Sequence, residues 1–556
     1  MRLNMKKRAL SNLSLAIIFL AVISSLRAGI PVNGPVRVLF ESSGQDFFWY
    51  APNRIGTYIS NVGELVSFRV IGNAGMEWPV GSGNTINFQS GLWIGGMVGS
   101  QIRTAVAEYT VEFGPGTYED WKNGDDPKYK IYTITRDDTI DTPGDDYLNW
   151  PFEDGAPMLL DESGNIILDN DGNMIPGLIG DMLSWSVFND ADTTAHSSVF
   201  NTFPLGLEVQ QTIWAFDRED AFGDMMFMKY LIINKGGNLI EDTYLSFWAD
   251  IDLGSATDDL VGADTVLSLG YSYNDGADNI YGAAPPAIGY DFFQGPIVES
   301  VGDTAKVSRH FRSSGIVPGF RNLPMTSLAH YEGGGPAGSG DPENAQQMYW
   351  FQQGLDGLGN VKIDPTTNQP TTFSYPGDPV TGEGWIRTDA KDLRFMLSTG
   401  PFTMAPGDTQ ELVGGIIIAQ GTSALNSMTK LKAADKSAQI AYDSDFKTFE
   451  IVAVDHDESN LPFGWSLQEN YPNPFNPSTT IEYSLHQPGD VSLIVYNLLG
   501  EEVARLVNEA HQAGNYKISW DASNISSGIY FYRLQVRQTG GRASDFIETK
   551  KMLLLK

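Results

Sequence analysis

Five aspartates packed into one short stretch, Asp250, Asp252, Asp258, Asp259 and Asp264, form the densest group of chemistry-bearing side chains in this sequence. Carboxylate oxygens are hard ligands, and calcium takes about 6 to 8 oxygens. Asp250 and Asp252 stand two apart at the end of an apolar run, Tyr244 to Ala249, which puts both carboxylates on one face of a strand. Gly254 lets the following loop fold back, so that Asp258, Asp259 and Asp264 could add oxygens while backbone carbonyls complete the shell. The competing account is a solvated turn whose aspartates accept from neighbouring backbone N–H groups. No spacing here is that of an EF-hand, so both accounts stay open.

A second acidic stretch, Asp169-Asn170-Asp171-Gly172-Asn173, echoes Asp161-Glu162-Ser163-Gly164-Asn165 just before it. It begins like a calcium loop and then departs from one, because glycine stands fourth rather than sixth and Gly180 replaces the closing glutamate. Two successive hairpin turns account for it. The histidines, His196, His310, His330, His456, His486 and His511, never form His-Glu-x-x-His, and no Gly-x-Ser-x-Gly elbow occurs. Gly333, Gly335 and Gly338 satisfy Gly-x-Gly-x-x-Gly, but nothing before them reads as a strand, which points to a loop. A glycosidase needs only two carboxylates across a cleft, and 68 acidic residues could conceal such a pair.

The elements that must position these groups are mostly strands. Ala105, Ala107, Tyr109, Val111 and Phe113 alternate with polar residues, Val209, Gln211, Ile213 and Ala215 do so less cleanly, and Leu267, Leu269, Tyr271 and Tyr273 repeat the pattern, as do Leu393, Phe395 and Leu397. Met225 to Ile233 is apolar except at Lys229, as a strand covered on both faces would be. Two segments depart from this period. Asp341-Pro342 is read as cap and first turn of a short helix, Glu343 to Gln353. Thr422 to Tyr442 sets Leu425, Met428, Leu431, Ala438 and Tyr442 near one stripe, an amphipathic helix expected to pack on the body's edge. With 59 glycines and 29 prolines between short runs, the pattern predicts an all-β chain: a large antiparallel β-sandwich body, of one sandwich or two, with a few short helices.

Composition narrows the partners. The formal charge is -32, and because the N-terminus is basic and the last ninety or so residues are nearly balanced, the negative charge sits in the body. Such a surface repels phosphate backbones and anionic headgroups, which disfavours nucleic acid and lipid surfaces and favours cations; acidity also keeps an exported protein soluble. The chain has no cysteine, which excludes disulfides and thiolate chemistry. Arg2, Lys6, Lys7 and Arg8 followed by apolar Leu13 to Ile23 make a signal peptide, with cleavage expected after Ala28 or a residue or two away. No other run is long enough to span a bilayer, so no transmembrane segment is expected in the mature chain.

The C-terminal stretch is the most specific. It opens Asn-Tyr-Pro-Asn-Pro-Phe-Asn-Pro from Asn470, continues through alternating Ile481, Tyr483 and Leu485, then Val491, Leu493 and Val495, and closes Thr-Lys-Lys-Met-Leu-Leu-Leu-Lys. Gly500 sits where a hairpin turn wants positive φ. The whole resembles the type A C-terminal sorting domain of the type IX secretion system. The resemblance implies a small immunoglobulin-like sandwich over residues 467–556, after a linker at 456–466 and a body at 29–455. It also implies that Pro472, Asn473, Pro474, Gly500, Gly528, Tyr530 and Lys551 serve the sorting signal or its turns. His486 stands where many relatives place proline. The destination implied is the cell surface or the medium, with the type IX secretion machinery as partner.

In the body, FMKYLIINKGGN, FWADIDLGSATDDLVGADTVLSLGYSYN, APPAIGYDFFQGP and LSTGPFTMAPGDTQELVGGIIIAQG resemble central regions of other large secreted proteins with this tag, a group that implies no activity. Three readings follow. The preferred one is a non-enzymatic structural, adhesive or carbohydrate-contacting component, in which Trp78, Trp93, Trp121 or Trp150 stack on surface polysaccharide or simply fill the core. The second is an exported polysaccharide hydrolase. The third is a calcium-dependent surface assembly subunit.

Overall fold

The computed structural model describes residues 37–452 and 466–555, apart from positions 42, 71, 73, 162, 163, 311, 312, 337, 469, 486–488, 512, 513 and 539–545. The expected signal peptide and its cleavage site, residues 456–465 of the linker expected at 456–466, His456 and His486 lie outside the described residues. The chain divides into two compact units, residues 1–453 and 454–556.

The body is built on two large antiparallel sheets. One runs in the order Tyr132–Thr135, Met182–Asn189, Leu207–Ala215, Met225–Asn234, Thr409–Ala419, Ala287–Gln294, Leu269–Asn274 and Asp259–Asp264, with Gly114–Pro115 also pairing Met182–Asn189. The other runs Ser327–Glu332, Leu393–Met404, Ile240–Asp250, Gln89–Val98 and Glu64–Val66, with Gln101–Val106 added to Gln89–Val98. Between them lies the main core, where Tyr230, Tyr290 and Phe292 of the first sheet meet Phe247 and Phe395 of the second; Phe247 and Phe292 ring centres are 5.0 Å apart. A smaller five-stranded sheet, Arg37–Phe40 to Thr85–Asn87, contributes Phe48, Tyr50 and Ile59 to the same core.

Both outer faces are also covered, which explains why so many strands are apolar throughout rather than alternating. The helix Ala424–Asp443 lays Met428, Leu431, Ala438 and Tyr442 against Trp214, Phe227, Tyr271 and Phe293. It therefore packs on a sheet face rather than on the body's edge, because the residues alternating away from the main core are themselves apolar and need a cover. The short helix Ala345–Gln352 covers the opposite outer face, where Met348 and Phe351 join Trp93, Trp248 and Tyr331. Its cap is Asn344, whose Oδ1 accepts the Gln347 N–H at 3.1 Å, so the helix starts later than Asp341-Pro342 suggests.

Lys229 is the informative exception in the central strand. Its side chain is only 3% exposed, on the helix-covered face, and its Nζ lies 3.2 Å from Glu411 Oε1 on the neighbouring strand. Gln294 Nε2 donates to Glu411 Oε2 at 3.0 Å, and the Tyr442 hydroxyl donates to Gln294 Oε1. Burial pulls the Lys229 ammonium below the usual lysine range, against the attraction of Glu411. Lys229→Met strips a buried carboxylate of its cation and is expected to cost about 3–5 kcal/mol, whereas K229M with Glu411→Leu should recover most of that loss. Urea titrations of both variants check it.

The repeated turn is regular. Asp161, Asp169 and Asp356 each accept the backbone N–H of an asparagine four residues on, Asn165, Asn173 and Asn360, at 2.8, 2.7 and 2.8 Å. Gly164, Gly172 and Gly359 each supply a φ above +80°. The acidic echo is thus a hairpin-turn signature that occurs a third time at Asp356.

The C-terminal unit holds a three-stranded sheet, Ser466–Leu467, Ser478–Leu485 and Gly514–Asp521, and a four-stranded one, Glu502–His511, Gly489–Tyr496, Gly528–Gln538 and Phe546–Leu554. Ile481, Tyr483, Leu485, Leu493, Val495, Tyr532, Leu534 and Met552 close a core drawn wholly from this unit.

Candidate metal centre and sorting domain

Two of the five candidate aspartates converge. Asp250 ends the strand Ile240–Asp250 and pairs in register with Arg394 on one side and Gln89 on the other. Directly paired residues project from the same face, so the Arg394 guanidinium reaches the Asp250 carboxylate, Nε at 3.1 Å from Oδ1 and Nη2 at 3.2 Å from Oδ2. The Tyr109 hydroxyl donates to Oδ2 at 2.6 Å. Asp252 follows at once, and Asp392, two residues before Arg394, arrives from the adjacent strand. Carboxylate oxygens of Asp250, Asp252 and Asp392 all lie within 4.8 Å of one another.

The electrostatics are undercompensated. Asp250 is 2% exposed, and burial raises its carboxyl to about 7 despite Arg394 and the Tyr109 hydrogen bond. Burial, with Asp392 adding repulsion, raises Asp252 to about 6. Three carboxylates against one guanidinium leave an excess of two negative charges when all are ionised. A divalent ion among them would restore the balance, and oxygen donors suit calcium.

The other three candidates turn elsewhere. Buried Asp259 accepts the Leu253 N–H and the Asn274 amide, both at 3.3 Å, and half-buried Asp258 accepts the same Asn274 amide at 3.0 Å. Asp264 caps the turn at Val266 and Leu267 and pairs with Lys432 at 3.1 Å. The loop after Asp252 does fold back, but onto Asp278, which accepts the N–H groups of Ser255, Ile280 and Tyr281. At Gly254, with φ of 76°, an added Cβ would meet the Asp278 carboxylate at 2.4 Å.

Among the other groups singled out from sequence, Trp78, Trp93 and Trp150 are buried, and Trp93 stacks on Trp248 at 5.4 Å. Trp121 is 37% exposed. A strand, Ser327–Glu332, does precede Gly333, contrary to the sequence reading. The glycines after it nevertheless sit in turns closed by Glu332 N–H to Ser339 O at 2.8 Å, and the next helix starts only at Ala345.

In the tail, Asn473 ties the Pro472–Pro474 segment to the last strand, with its Oδ1 accepting from Leu553 N–H at 3.0 Å and its Nδ2 donating to Lys551 O at 3.3 Å. Pro472 O accepts from Asn470 Nδ2 at 3.1 Å and Thr479 Oγ1 at 2.9 Å. Gly500 has a φ of 79° in the turn that Asn497 caps. Gly528 opens a strand opposite Leu554, and Tyr530 donates its hydroxyl to Ser526 O at 2.8 Å. These are shape-making roles. Pro472, Pro474 and Lys551 keep their side chains exposed, as do Tyr471, Leu498 and Leu499.

The C-terminal unit is thus two small sheets that a proline-rich segment opens and a lysine-bearing strand closes. Residues 469–544 match the family model of the secretion system C-terminal sorting domain. The C-terminal unit is such a sorting domain, of the type IX kind, and marks the chain for export to the cell surface or the medium. Among the described residues no helix is long and apolar enough to cross a membrane.

No curated protein matches the sequence. Among solved structures, a polysaccharide lyase overlaps 94% of this chain and 46% of its own, at 8% identity and a TM-score of 0.24. The chain thus spans less than half the length of that lyase. The adhesin domain of Epf from Streptococcus pyogenes overlaps 66% of this chain and 90% of its own, at 7% identity and a TM-score of 0.12. Superpositions this loose carry neither fold nor activity across.

Proposed function

We propose that the exported body is a structural component of the cell surface, stiffened by a calcium ion held between Asp250, Asp252 and Asp392. The observation that carries this reading is the convergence of three carboxylates on one guanidinium at the end of the two central strands of a sheet. An ion there would tie Ile240–Asp250 to Leu393–Met404 in a chain that has no disulfide to do so. Burial of Trp78, Trp93 and Trp150 leaves sugar stacking to Trp121 at most among the four tryptophans considered. A glycosidase reading of the same carboxylates is weaker, because Asp250 is enclosed and turned toward Tyr109 and Arg394 rather than toward a sugar.

Thermal unfolding of the full chain with calcium and with chelator tests the proposal. Saturating calcium is expected to raise Tm by several degrees, since an ion bound only by the folded state stabilises by about 2.7 kcal/mol at a hundredfold excess over Kd. Asp250→Asn together with Asp252→Asn should abolish the rise. An unchanged Tm would reduce the centre to an ion-paired strand end.

A further inference from the structure

Four buried side chains, Lys229, Glu411, Gln294 and Tyr442, meet on the helix-covered face of the larger sheet in the arrangement that an amide exchange needs. Lys229 and Gln294 lie opposite the same residue, Val413, on the two strands that flank Thr409–Ala419. Glu411, two residues from Val413, projects from the same face. Phe292 packs in the main core, and plain alternation would send Gln294 back into it. The register slips at Phe293 instead, and the bulge turns Gln294 to the helix side, where it meets Tyr442. Two strand spacings, about 10 Å, separate the Lys229 and Gln294 backbones, a gap that a lysine and a glutamine side chain joined end to end can span.

Each contact has a chemical sense. An ionised carboxylate only accepts, so Glu411 Oε2 faces the Gln294 Nε2 amide at 3.0 Å and leaves Gln294 Oε1 to the Tyr442 hydroxyl, which polarises the carbonyl. Burial holds that phenol above its ordinary range, so it stays a donor. The other carboxylate oxygen, Glu411 Oε1, lies 3.2 Å from Lys229 Nζ. One carboxylate therefore touches both the attacking nitrogen and the nitrogen that leaves. Separated charges cost most where water is excluded, and one proton moved across this contact turns the ion pair into a neutral acid and a neutral amine. Burial pulls Lys229 toward the neutral amine.

We propose that Lys229 and Gln294 close an intramolecular isopeptide bond, with Glu411 as the proton shuttle and Tyr442 as the donor to the carbonyl. The Lys229 ammonium gives one proton to Glu411, and the freed amine attacks Gln294 Cδ. The bond from Cδ to Nε2 breaks as Glu411 passes its proton to that nitrogen, and ammonia departs. A second proton, from the attacking nitrogen, returns to Glu411, which ends as a neutral acid beside the new amide. Both reactants belong to the chain and are held in place by the fold, so nothing has to enter the core. The bond ties Met225–Asn234 to Ala287–Gln294 across the strand between them, in a chain without cysteine. It is independent of the aspartate centre and goes beyond the function proposed for it. The Lys229 and Glu411 ion pair is the reactant state, and the urea comparison of K229M with its double variant applies to chain that has not closed the bond.

Intact-mass spectrometry of the folded full chain reads the bond directly. The expected mass is one ammonia below that of the sequence, and proteolysis should release one branched peptide that joins the segments around Lys229 and Gln294. Glu411→Gln keeps the shape of the side chain but cannot shuttle the proton, so this variant is expected to carry the full mass, as are Lys229→Met and Gln294→Leu. A folded parent chain at full mass overturns the proposal. So does an ammonia loss that maps elsewhere, such as a succinimide at Asn123 before Gly124, and so does equal closure in E411Q. The mass and peptide map of the unsubstituted chain decide independently of how the variants fold.

Discussion

Removal of residues 466–556 is expected to abolish export and leave a folded body in the periplasm. The deleted stretch is the sorting domain itself, and its core shares no residue with the cores of the body. Losing it should therefore cost the address and not the fold. Fractionation of cells expressing the truncated chain, with limited proteolysis to verify that the retained body is compact, checks both halves. Normal appearance of the truncated chain in the medium would sink the sorting assignment. Smaller changes are expected to grade: Asn473→Ala removes both side-chain bonds that hold the proline segment to the last strand and should lower secretion by less than the deletion does.

The second large effect lies under the helix Ala424–Asp443. Asp291, on the helix-facing side of the strand Ala287–Gln294, and Asp435, on the helix, are both almost fully buried and face each other as a hydrogen-bonded acid pair. Two carboxylates cannot both be ionised there. Burial raises Asp291 to about 8, and burial together with the Asp291 charge raises Asp435 well above its ordinary value. The nearby charges do not relieve the pair: Lys432 is engaged with Asp264 and Asp378 at 3.1 and 3.2 Å, and only Lys436 acts weakly in the opposite direction on Asp435.

A carboxyl whose folded value lies above its unfolded value of about 3.9 binds its proton more tightly in the folded state, so its contribution to stability is greatest below that value. It is lost progressively as pH rises toward about 8, the value for Asp291. Asp435→Asn replaces the shared proton with an amide donor that Asp291 can accept as a carboxylate. The variant should be more stable than the parent by about 2–4 kcal/mol at pH 8 and nearly equal to it at pH 4.5. Urea unfolding of both chains at the two pH values reads the difference, and a variant less stable at pH 8 would mean that an unassigned cation serves the pair.

Much of this architecture can be read from the residues, and the failures have physical causes. Alternation at Ile481, Tyr483 and Leu485 buries one face of the strand Ser478–Leu485, and the burial follows it. In the body, strands such as Met225–Asn234 are enclosed on both faces, so period two is lost and only length and β-branched or aromatic content mark them. The pairing of Asp250 with Asp252 is visible because it is local. Asp392 is not, because it joins them through the register that sets Asp250 opposite Arg394, far along the chain. Asp258, Asp259 and Asp264 look like ligands in sequence because nothing local reveals that Asn274 and Lys432 already claim them.

The self-contained core of the C-terminal unit, from Leu467 to Leu554, makes the tail a portable handle. A passenger of unrelated fold, joined ahead of Ser466 by a flexible spacer, would meet a domain that needs nothing from its neighbour to reach its shape. The same organism could then display diverse cargoes by recombining one small module, with selection acting on each passenger separately from its delivery.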